Sequence, residues 1–362
     1  MIPAPQKVLI HRLGSLGDTA IMLPVFHYLN DIWPQAEKRV MTNFPVAAVA
    51  PPLQAVLGDG IFVDGYFTYP VRMRNPRALL SLASDVRAWG PDIAIYANEA
   101  GSIARTLRDG AFLRLCGARR VVGLPIARSR REHILNRQTG LYERETARIA
   151  RALAALGRID VNDPKKKDLC LTEAERAAAT DILSGWAGAG RFICFSPGTK
   201  QQMKDWTDPN WIIVLEALSN ADPSLGILVV GADGDRARSD ALLTHWQGPK
   251  LNTCGQISPR RSAAVMAHAK MFLGNDSGPM HLAAAVNIPA VAVFSRHAKP
   301  GIWFPLGDRH RIFYPGLPWS GGAPPVDRNA ANETDITSIP PDQVIDACRS
   351  FLRKPESSDL VR

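Results

Sequence analysis

Long apolar runs are absent from this sequence of 362 residues, although 46% of them are hydrophobic. No run approaches the roughly 20 residues that a helix needs to cross a bilayer. The start, MIPAPQKVLIHRLG, also lacks the basic residues and the small-residue cleavage site of a signal peptide. With 21% charged residues, the composition is that of a globular chain long enough for two cores. We therefore expect a cytoplasmic protein of two domains.

Cysteine is scarce and shows no pattern. The chain has five cysteines, an odd number, and no two of them stand at the spacing of a metal site or a redox motif. We therefore expect the cysteines to be small core residues. They are Cys116, Cys170, Cys194, Cys254 and Cys348.

Lysine is missing from residues 105–151, which hold twelve arginines and four acids and so contribute eight of the nine net positive charges. Within this stretch, GARRVVGLPIARSRREHILNRQ has no interleaved aromatic residues and matches no groove-reading motif, which argues against nucleic acid. It favours an anionic glycan or a membrane surface as the partner, although an ordinary solvated helix face has the same composition. The candidate acceptor contacts are Arg119, Arg120, Arg128, Arg130 and Arg131.

Short apolar runs alternate with amphipathic stretches, which predicts parallel sheets covered on both faces. The stretches PRALLSLASDVRAW and GSIARTLRDGAFLRLC predict helices. The strands predicted in the first half are Val8–Leu13, Arg39–Thr42, Ile61–Tyr66, Asp92–Tyr96 and Arg120–Gly123. Those predicted in the second half are RFICFSP, SLGILVVGA, LNTCG, MFLGND and PAVAVFS. The polar stretch GRIDVNDPKKKDLCL, residues 157–171, is the expected linker.

Functional residues of such sheets lie in loops that follow strands, and the first of these loops is RLGSLGD, residues 12–18. Gly14 and Gly17 permit backbone conformations and close approaches that other residues do not. The missing third glycine of a G-x-G-x-x-G pattern argues against a dinucleotide site. Asp18 is therefore either the N-cap of the next helix or a carboxylate that works as a base.

The second loop is SPGTKQQMKDW, residues 196–206. Ser196 and Thr199 offer hydroxyls, and Lys200 and Lys204 offer charge, as in many phosphate sites. Taken alone, Lys204 fits an ordinary surface lysine better than a ligand contact.

The third loop is GNDSGPMHLAAA, residues 274–285. Ser277 can cap a helix, and Pro279 suits a first helical turn. The free amides near Gly278 and Met280 point to where an anion would bind, favoured by the helix dipole. His281 is either a satisfied helix histidine or a ligand contact one turn beyond that anion site.

Together the three loops resemble glycosyltransferase family 9, whose characterised members are the ADP-heptose heptosyltransferases of lipopolysaccharide inner-core synthesis. RLGSLGD, SPGTKQQMKDW and GNDSGPMHLAAAVNIPAVAVF carry the resemblance in order and spacing. It implies an α/β fold of the GT-B type, with two doubly wound Rossmann-like domains that face a cleft. Residues 1–165 would bind the acceptor and residues 166–340 the nucleotide sugar, and a last helix in residues 341–362 would cross back and pack on the first domain.

The resemblance also implies roles for single residues. Asp18 matches the catalytic base, and Ser15 and Gly17, grouped here with the donor-binding residues, match the loop that holds it. Thr199 and Lys204 match donor-phosphate residues. The motif that binds the diphosphate and the sugar corresponds to Asp276, Ser277, Gly278, Pro279, Met280 and His281. Asp233 or Asp235, after the strand ILVVGA, is the candidate contact to the nucleoside.

The reaction implied by the family is an inverting transfer of a sugar, heptose from ADP-heptose, to an anionic glycan or glycolipid such as the lipopolysaccharide inner core. It needs no cofactor and no metal, because a helix dipole and a lysine take the place of a cation, so DGD at 233–235 is not interpreted as a metal site. We expect a monomer with a nucleotide-sugar donor, an anionic lipid-linked acceptor, peripheral contact with the inner face of the inner membrane, and no nucleic-acid partner.

Two stretches depart from the family pattern and bear on the identity of the donor sugar. SRHAKPGIWFPLG replaces the usual glycine-proline-threonine-aspartate turn, and YPGLPWSGGAPPVDRNAANETD is unusual. Two other function classes stay open. A GT-B nucleotide-sugar 2-epimerase would need no separate acceptor, and a non-catalytic protein that binds nucleotide sugars or glycans would have no need of Asp18.

Overall fold

The computed structural model describes residues 4–44, 51–58, 60–70, 75–317 and 335–353. The chain divides into two compact units. Unit 1 extends to Arg137, resumes over Leu141–Cys170 and includes Gly301–Leu306. Unit 2 comprises residues 138–140, Leu171–Pro300 and the chain from Gly307 onward. Among the helices within the described ranges, none is long and apolar enough to span a membrane.

Unit 1 is built on a five-stranded sheet. Its strands are β1 (Lys7–His11), β2 (Glu37–Asn43), β3 (Gly65–Tyr69), β4 (Ile93–Tyr96) and β5 (Arg120–Val122). They lie in the order β3-β2-β1-β4-β5, and all neighbours are parallel. The consecutive residues Val8, Leu9 and Ile10 are fully buried, as expected of a parallel strand covered on both faces. The predicted parallel sheet is therefore confirmed for this unit.

The helices of unit 1 are α1 (Leu16–Ala20), α2 (Leu23–Ile32), α3 (Gln54–Leu57), α4 (Pro76–Trp89), α5 (Ile103–Leu115), α6 (Arg128–Arg131) and α7 (Glu145–Ala152). Local signals account for the bounds of α4. The Asn75 side chain accepts a hydrogen bond from the amide of Arg77, and Pro76 occupies the first turn. Gly90 ends the helix with φ of 77°, a left-handed conformation that favours glycine.

Unit 2 is built on a six-stranded sheet. Its strands are β6 (Phe192–Ser196), β7 (Gly226–Val229), β8 (Lys250–Asn252), β9 (Phe272–Asn275), β10 (Ala290–Val293) and β11 (Arg311–Phe313). They lie in the order β11-β10-β9-β6-β7-β8, again with all neighbours parallel. The helices are α8 (Glu173–Leu183), α9 (Asp208–Ala221), α10 (Arg236–Leu243), α11 (Pro259–Met266), α12 (Gly278–Ala285) and α13 (Pro341–Leu352).

Two strands differ from the sequence expectation. A strand was expected over Ile61–Tyr66, but the observed strand β3 starts only at Gly65. Phe62 and Val63 are buried in the loop before it, and Asp64 in that loop accepts a hydrogen bond from the amide of Lys38. The edge strand β11 was not predicted, since three residues give no measurable alternation of apolar and polar side chains.

The last helix also differs from the expectation. We expected the chain from residue 341 to pack on the first domain, but the buried side chains of α13, Val344 and Cys348 among them, belong to the core of unit 2. The reason is that the apolar stripe of α13 finds its complement in the same core as Trp206 and Trp211. Residues 354–362 lie outside the described ranges.

A short segment late in the chain belongs to unit 1 instead. Residues Gly301–Leu306 lie in the stretch SRHAKPGIWFPLG, and the amide of Glu145 donates to the carbonyl of Ile302 at 2.9 Å. A Cβ on Gly301, whose φ is 99°, would lie 2.1 Å from the carbonyl oxygen of Tyr142. Only glycine therefore fits at this packing point.

The predicted linker ends where the units divide, between Cys170 and Leu171. It is held against α2, because His27 binds the carbonyl of Asp168 at 2.8 Å and Lys166 pairs with Asp31 at 2.5 Å. Cys170 is only partly buried, contrary to the expectation for a core cysteine, because it lies in this surface segment. The other four cysteines are buried as expected.

Candidate functional site

Each sheet has one switch point, where the next strand along the chain is added on the other side of the first strand instead of beyond the last one. In unit 1 this point lies between β1 and β4, and in unit 2 it lies between β6 and β9. Ligands of open parallel sheets bind beyond the carboxyl ends of the strands at such switch points. The loops that carry the three sequence motifs follow β1, β6 and β9, so the topology places each motif at a switch point.

In unit 1, Asp18 lies in the first turn of α1, three residues after Ser15. Its Oδ2 atom accepts a hydrogen bond from the backbone amide of Ser15 at 2.8 Å and lies 3.3 Å from the Ser15 hydroxyl. Asp18 thus occupies the N3 position, the third helical residue, and completes a capping box in which Ser15 is the N-cap. A quarter of the Asp18 side chain is exposed, so the carboxylate is both fixed by the backbone and open to a ligand.

Gly14 determines how closely the loop folds over Asp18. Its φ is 125°, and a Cβ at this position would lie 2.4 Å from both Cβ and Cγ of Asp18. Any other residue would displace the carboxylate or the loop. Ser15 and Gly17 lie in this same loop and first turn, which belong to unit 1, whereas the other predicted donor residues lie in unit 2.

Arg12 lies beneath the loop and is completely buried. Its guanidinium donates to the carbonyl of Asp18 at 2.6 and 3.1 Å and to the carbonyl of Ala97 at 2.7 Å. Its Nη2 atom lies 3.7 Å from Oδ1 of Asp18. A buried cation requires such partners, so Arg12 ties the Asp18 loop to the chain that follows β4 and places a positive charge beside Asp18.

Glu99 also follows β4, and its carboxyl group interacts with that of Asp18. Desolvation raises the pKa of Glu99, and the negative charge of Asp18 raises it further, while Arg12 and Arg148 act in the opposite direction. Two carboxyl groups thus stand at the switch point of unit 1.

The arginine-rich stretch is divided between structural and exposed side chains. Each of its four acids is paired: Asp109 with Arg105 and Arg108, Glu132 with Arg128, Glu143 with Arg151, and Glu145 with Arg148. Exposed arginines of the stretch include Arg119, Arg120, Arg130 and Arg137. The stretch therefore keeps a positive surface.

The predicted acceptor residues fall at two different edges of the sheet. Arg119 and Arg120 lie at the amino end of β5, the edge opposite to the Asp18 loop. Arg128, Arg130 and Arg131 form α6, which follows the carboxyl end of β5. The α6 group is tied to the Asp18 side of the sheet, because Arg148 donates to the carbonyls of both Arg130 and Asn98.

In unit 2, Lys204 and Asp276 meet at the switch point. The Lys204 ammonium donates to Oδ2 of Asp276 at 2.6 Å, and the exposed fractions of the two side chains are 19% and 6%. Lys204 comes from the loop after β6 and Asp276 from the loop after β9. The ion pair therefore joins the second and third sequence motifs.

The third motif forms the turn into α12. Ser277 is its N-cap, Pro279 lies in its first turn, and Met280 and His281 are buried. The amides of the first turn, including that of Gly278, have no partner within the helix. Two buried oxygens, Oδ1 of Asn275 and Oγ of Ser277, find no hydrogen-bond partner among the described residues.

Arg238 on α10 holds the Lys204 loop at both ends. It donates to the carbonyl of Pro197 at 3.3 Å and to the carboxylates of Asp205 and Asp208 at 2.8 and 2.7 Å. Asp205 in turn accepts from the amide of Thr207, whose φ of 72° is unusual for a residue with a side chain. Arg238 thus fixes a strained loop, and the sequence motifs gave no indication of it.

The remaining predicted donor residues differ in exposure. Thr199 lies partly exposed in the loop after β6, with its hydroxyl 3.4 Å from the amide of Gln201. Asp233 is 91% exposed, whereas Asp235 accepts a hydrogen bond from the amide of Ala232 at 2.8 Å. Asp233 is therefore the more exposed of the two acids, although Nε of Arg236 lies 4.0 Å from its Oδ1. In the part of the chain that the structure describes, no three His, Cys, Asp or Glu side chains group as metal ligands.

Sequence reasoning missed four residues that shape these loops: Arg12, Asn98, Glu99 and Arg238. The rule that functional residues follow strands could have found Asn98 and Glu99, which come directly after β4 and Ala97. Arg12 also follows a strand, β1, but nothing in the sequence distinguishes a buried arginine from an exposed one, and Arg238 lies within α10 and follows no strand.

Comparison with known proteins agrees with the motifs. The family model of glycosyltransferase family 9 (heptosyltransferase) matches residues 110–318, more than half of the chain. Lipopolysaccharide heptosyltransferase 3 of Escherichia coli is 28% identical over 172 residues, which are 46% of this chain and 48% of that protein. This alignment thus spans about half the length of that relative. A protein of the same name from Escherichia coli strain K12 is 22% identical over 359 residues, 93% of this chain and 95% of that protein.

Among solved structures, the family 9 glycosyl transferase of Veillonella parvula DSM 2008 superposes with a TM-score of 0.72 at 17% identity, covering 96% of this chain and 97% of that one. The two parallel Rossmann-like sheets, together with this superposition, place the fold in the GT-B class. Within that class, the chain belongs to glycosyltransferase family 9. The resemblance noted from the motifs is confirmed.

Proposed function

We propose that this protein is an inverting glycosyltransferase that moves heptose from ADP-heptose to an anionic glycan or glycolipid, such as the lipopolysaccharide inner core. The observation that carries the proposal is the Asp18 carboxylate, fixed by the Ser15 amide at a switch point yet a quarter exposed. A binding protein would not need a base in that loop, and a 2-epimerase would need no separate acceptor.

In the proposed mechanism, Asp18 takes the proton of the acceptor hydroxyl as that oxygen attacks the anomeric carbon of the donor. The bond from that carbon to the diphosphate breaks on the opposite face, so the configuration inverts and ADP leaves with the bonding electrons. General base catalysis of this kind contributes typically ~10²- to 10⁴-fold to the rate.

Unit 2 would stabilise the leaving diphosphate without a metal ion. Lys204 supplies a positive charge, and the first-turn amides of α12 supply hydrogen-bond donors and the positive end of a helix dipole. The unpartnered Ser277 hydroxyl supports a ligand at this turn. Thr199 would contact a phosphate, His281 the sugar and the exposed Asp233 the nucleoside.

The acceptor would bind to unit 1 and come from the inner face of the inner membrane. The exposed arginines of residues 105–151 favour an anionic partner, and Arg128, Arg130 and Arg131 follow the same sheet edge as Asp18. The outer side of α5 exposes three apolar side chains among its arginines: Ile103, Leu107 and Leu115 are exposed by 45%, 53% and 44%. Apolar residues flanked by arginines suit an anionic lipid surface.

Product analysis by mass spectrometry tests the proposed function. The protein is offered ADP-, UDP- and GDP-sugars, each with a truncated lipopolysaccharide core, with and without EDTA. We expect a heptosylated core only with ADP-heptose, at a rate unchanged by EDTA. Release of a free sugar epimer would indicate an epimerase, and binding without any product would indicate a non-catalytic protein.

A further inference from the structure

The backbone of the Asp18 loop is held by two buried asparagines that come from neighbouring strands. The amide of Leu13 donates to Oδ1 of Asn98 at 2.6 Å, and the next amide, that of Gly14, donates to Oδ1 of Asn43 at 3.2 Å. Both asparagines lie at the carboxyl ends of their strands: Asn43 is the last residue of β2, and Asn98 follows β4 by two residues. These bonds fix the direction in which the loop leaves β1.

The orientation of the Asn98 carboxamide is itself determined. Its Oδ1 must be the acceptor because the Leu13 amide is a donor, so its Nδ2 faces Nδ1 of His11 at 3.1 Å as a donor. The neutral His11 ring then carries its proton on Nε2, 3.2 Å from the hydroxyl of Tyr69. Burial lowers the pKa of His11 to about 4, which keeps the ring neutral in this chain of bonds.

The backbone of Asn98 is held as firmly as its side chain. Its carbonyl accepts from Nη2 of Arg148 at 2.8 Å, and that guanidinium is buried against Glu145. The preceding carbonyl, that of Ala97, accepts from Arg12. Asn98 is thus a fixed point to which the Asp18 loop is attached.

We infer that Asn98 is a positioning residue for Asp18: its carboxamide sets the path of residues 13 and 14, and thereby where the carboxylate of the base meets the acceptor hydroxyl. This inference rests on the proposed function. The tight fit of Gly14 against Cβ and Cγ of Asp18 transmits any movement of the loop to the carboxylate. A displacement of about 1 Å at a reacting group costs on the order of 100-fold in rate.

The test compares Asn98→Leu, similar in size but without polar atoms, with Asn98→Asp, which keeps an acceptor for the Leu13 amide and can accept from His11 once that ring carries its proton on Nδ1 and Tyr69 donates to Nε2. We expect Asn98→Leu to lower kcat by about 30- to 100-fold, with the donor KM within about twofold of the parent because the proposed diphosphate contacts, Lys204 and the first turn of α12, lie in unit 2. Asn98→Asp should recover most of kcat. Hydrogen exchange should show faster exchange at the Leu13 amide in Asn98→Leu alone.

Tyr28→Phe is the matched control, since it removes one hydrogen bond to a backbone carbonyl of unit 1, that of Leu156, away from the loop. It should leave kcat at the parental value. If Asn98→Leu does not fold, Asn43→Ala, which frees only the Gly14 amide, should lower kcat by about fivefold.

A kcat within threefold of the parent in folded Asn98→Leu, or a parental kcat in Asn43→Ala, would overturn the inference. So would a failure of Asn98→Asp to recover activity. A parent that forms no glycoside would contradict the proposed function instead, which separates the two failures.

Discussion

At the scale of single residues, Lys204 and Asp276 are electrostatically dependent on each other. Asp276 is almost fully buried, and Lys204 donates to it at 2.6 Å. Removing the lysine would leave a buried carboxylate without its cation, at the place where we propose that a diphosphate binds. The diphosphate would lose the attraction of Lys204 and would also face the unneutralised charge of Asp276, and both changes would weaken its binding.

Lys204→Ala should therefore weaken ADP binding by about 1.5–3 kcal/mol, the range for hydrogen bonds to charged groups. Isothermal titration calorimetry measures this, and Lys204→Ala combined with Asp276→Asn should recover part of the loss. Lys270→Ala is the control, because this exposed lysine precedes β9 at the opposite edge of the sheet. Equal affinities of the parent and Lys204→Ala would place the diphosphate elsewhere.

How far single residues could be predicted depends on whether they lie in a motif. Asp18, Lys204 and Asp276 stand in recognisable loops, and the structure places each at a switch point. The structural alternative for Asp18, that it is the N-cap, is wrong: Ser15 is the N-cap, and Asp18 is the third helical residue, which completes the capping box. Arg12 stands in the first of these loops and Asn98 follows β4, yet neither was singled out, since their importance lies in burial and in long-range bonds that a single sequence does not display.

At the scale of elements, the loop after β6 is shaped by contacts distant in the chain. Trp206 anchors it, since its indole donates to the carbonyl of Ile339 at 3.2 Å and its ring lies 4.7 Å from that of Trp211. Arg238 ties Pro197 to Asp205. The loop thus presents Lys204 on a fixed backbone.

Arg238→Met should release this loop. We expect ADP affinity to fall about three- to tenfold, equivalent to about 0.7–1.4 kcal/mol, and amide exchange to rise over residues 198–207. Arg349→Met removes an exposed ion pair with Asp346 on α13 and serves as the control. If Arg238→Met bound ADP as tightly as the parent, the contacts of Arg238 would not be needed to hold the loop in its binding conformation.

Most strands were predictable because parallel strands are continuous apolar runs, as in Val8–Ile10. The exceptions show what outweighs that signal. Ile61–Val63 is apolar yet forms a loop, whose Phe62 and Val63 are buried by packing rather than by pairing. The β11 strand is an edge strand with partners on one side only, so it needs no apolar run.

At the scale of the whole molecule, charge and apolar exposure coincide in unit 1. The stretch 105–151 carries eight of the nine net charges, and α5 within it exposes Leu107 and Leu115. Burying even part of a leucine side chain in a lipid interface contributes about 1 kcal/mol. Both features favour attachment to an anionic membrane.

The double variant Leu107→Gln and Leu115→Gln should bind vesicles of phosphatidylglycerol and phosphatidylethanolamine about 10- to 30-fold more weakly. Added salt should weaken binding of the parent too, because surface charges are screened beyond roughly 8 Å at physiological ionic strength. Ile213→Gln, an equally exposed apolar residue of unit 2, is the control in a vesicle sedimentation assay. Indistinguishable sedimentation of all three proteins would contradict membrane contact through α5.

The presence of two units could be predicted from the composition and from the alternation of strands and helices. The unit to which two late segments belong could not. The last helix joins the core of unit 2, and Gly301–Leu306 joins unit 1. Which core an amphipathic helix completes depends on complementary surfaces such as that around Trp211, and these exist only once the chain has folded.

The proposed transfer reaction depends on Asp18 acting as the base, and Asp18→Asn is the substitution that isolates this proposed role. Asparagine can still accept the Ser15 amide, so the capping box should persist. Arg12 keeps its backbone acceptors but loses a charged partner, so the free energy of unfolding should fall by about 1–2 kcal/mol. Asp92→Asn is the matched control, because Asp92 accepts from two backbone amides, those of Gln6 and Lys7, before β1.

The decisive measurement is the turnover of Asp18→Asn, with ADP-heptose and a truncated lipopolysaccharide core, at a temperature where the variant is folded. We predict a loss of at least about 100-fold, with ADP affinity within twofold of the parent and Asp92→Asn as active as the parent. Turnover of folded Asp18→Asn within fivefold of the parent would contradict a catalytic role and leave Asp18 as part of a helix cap.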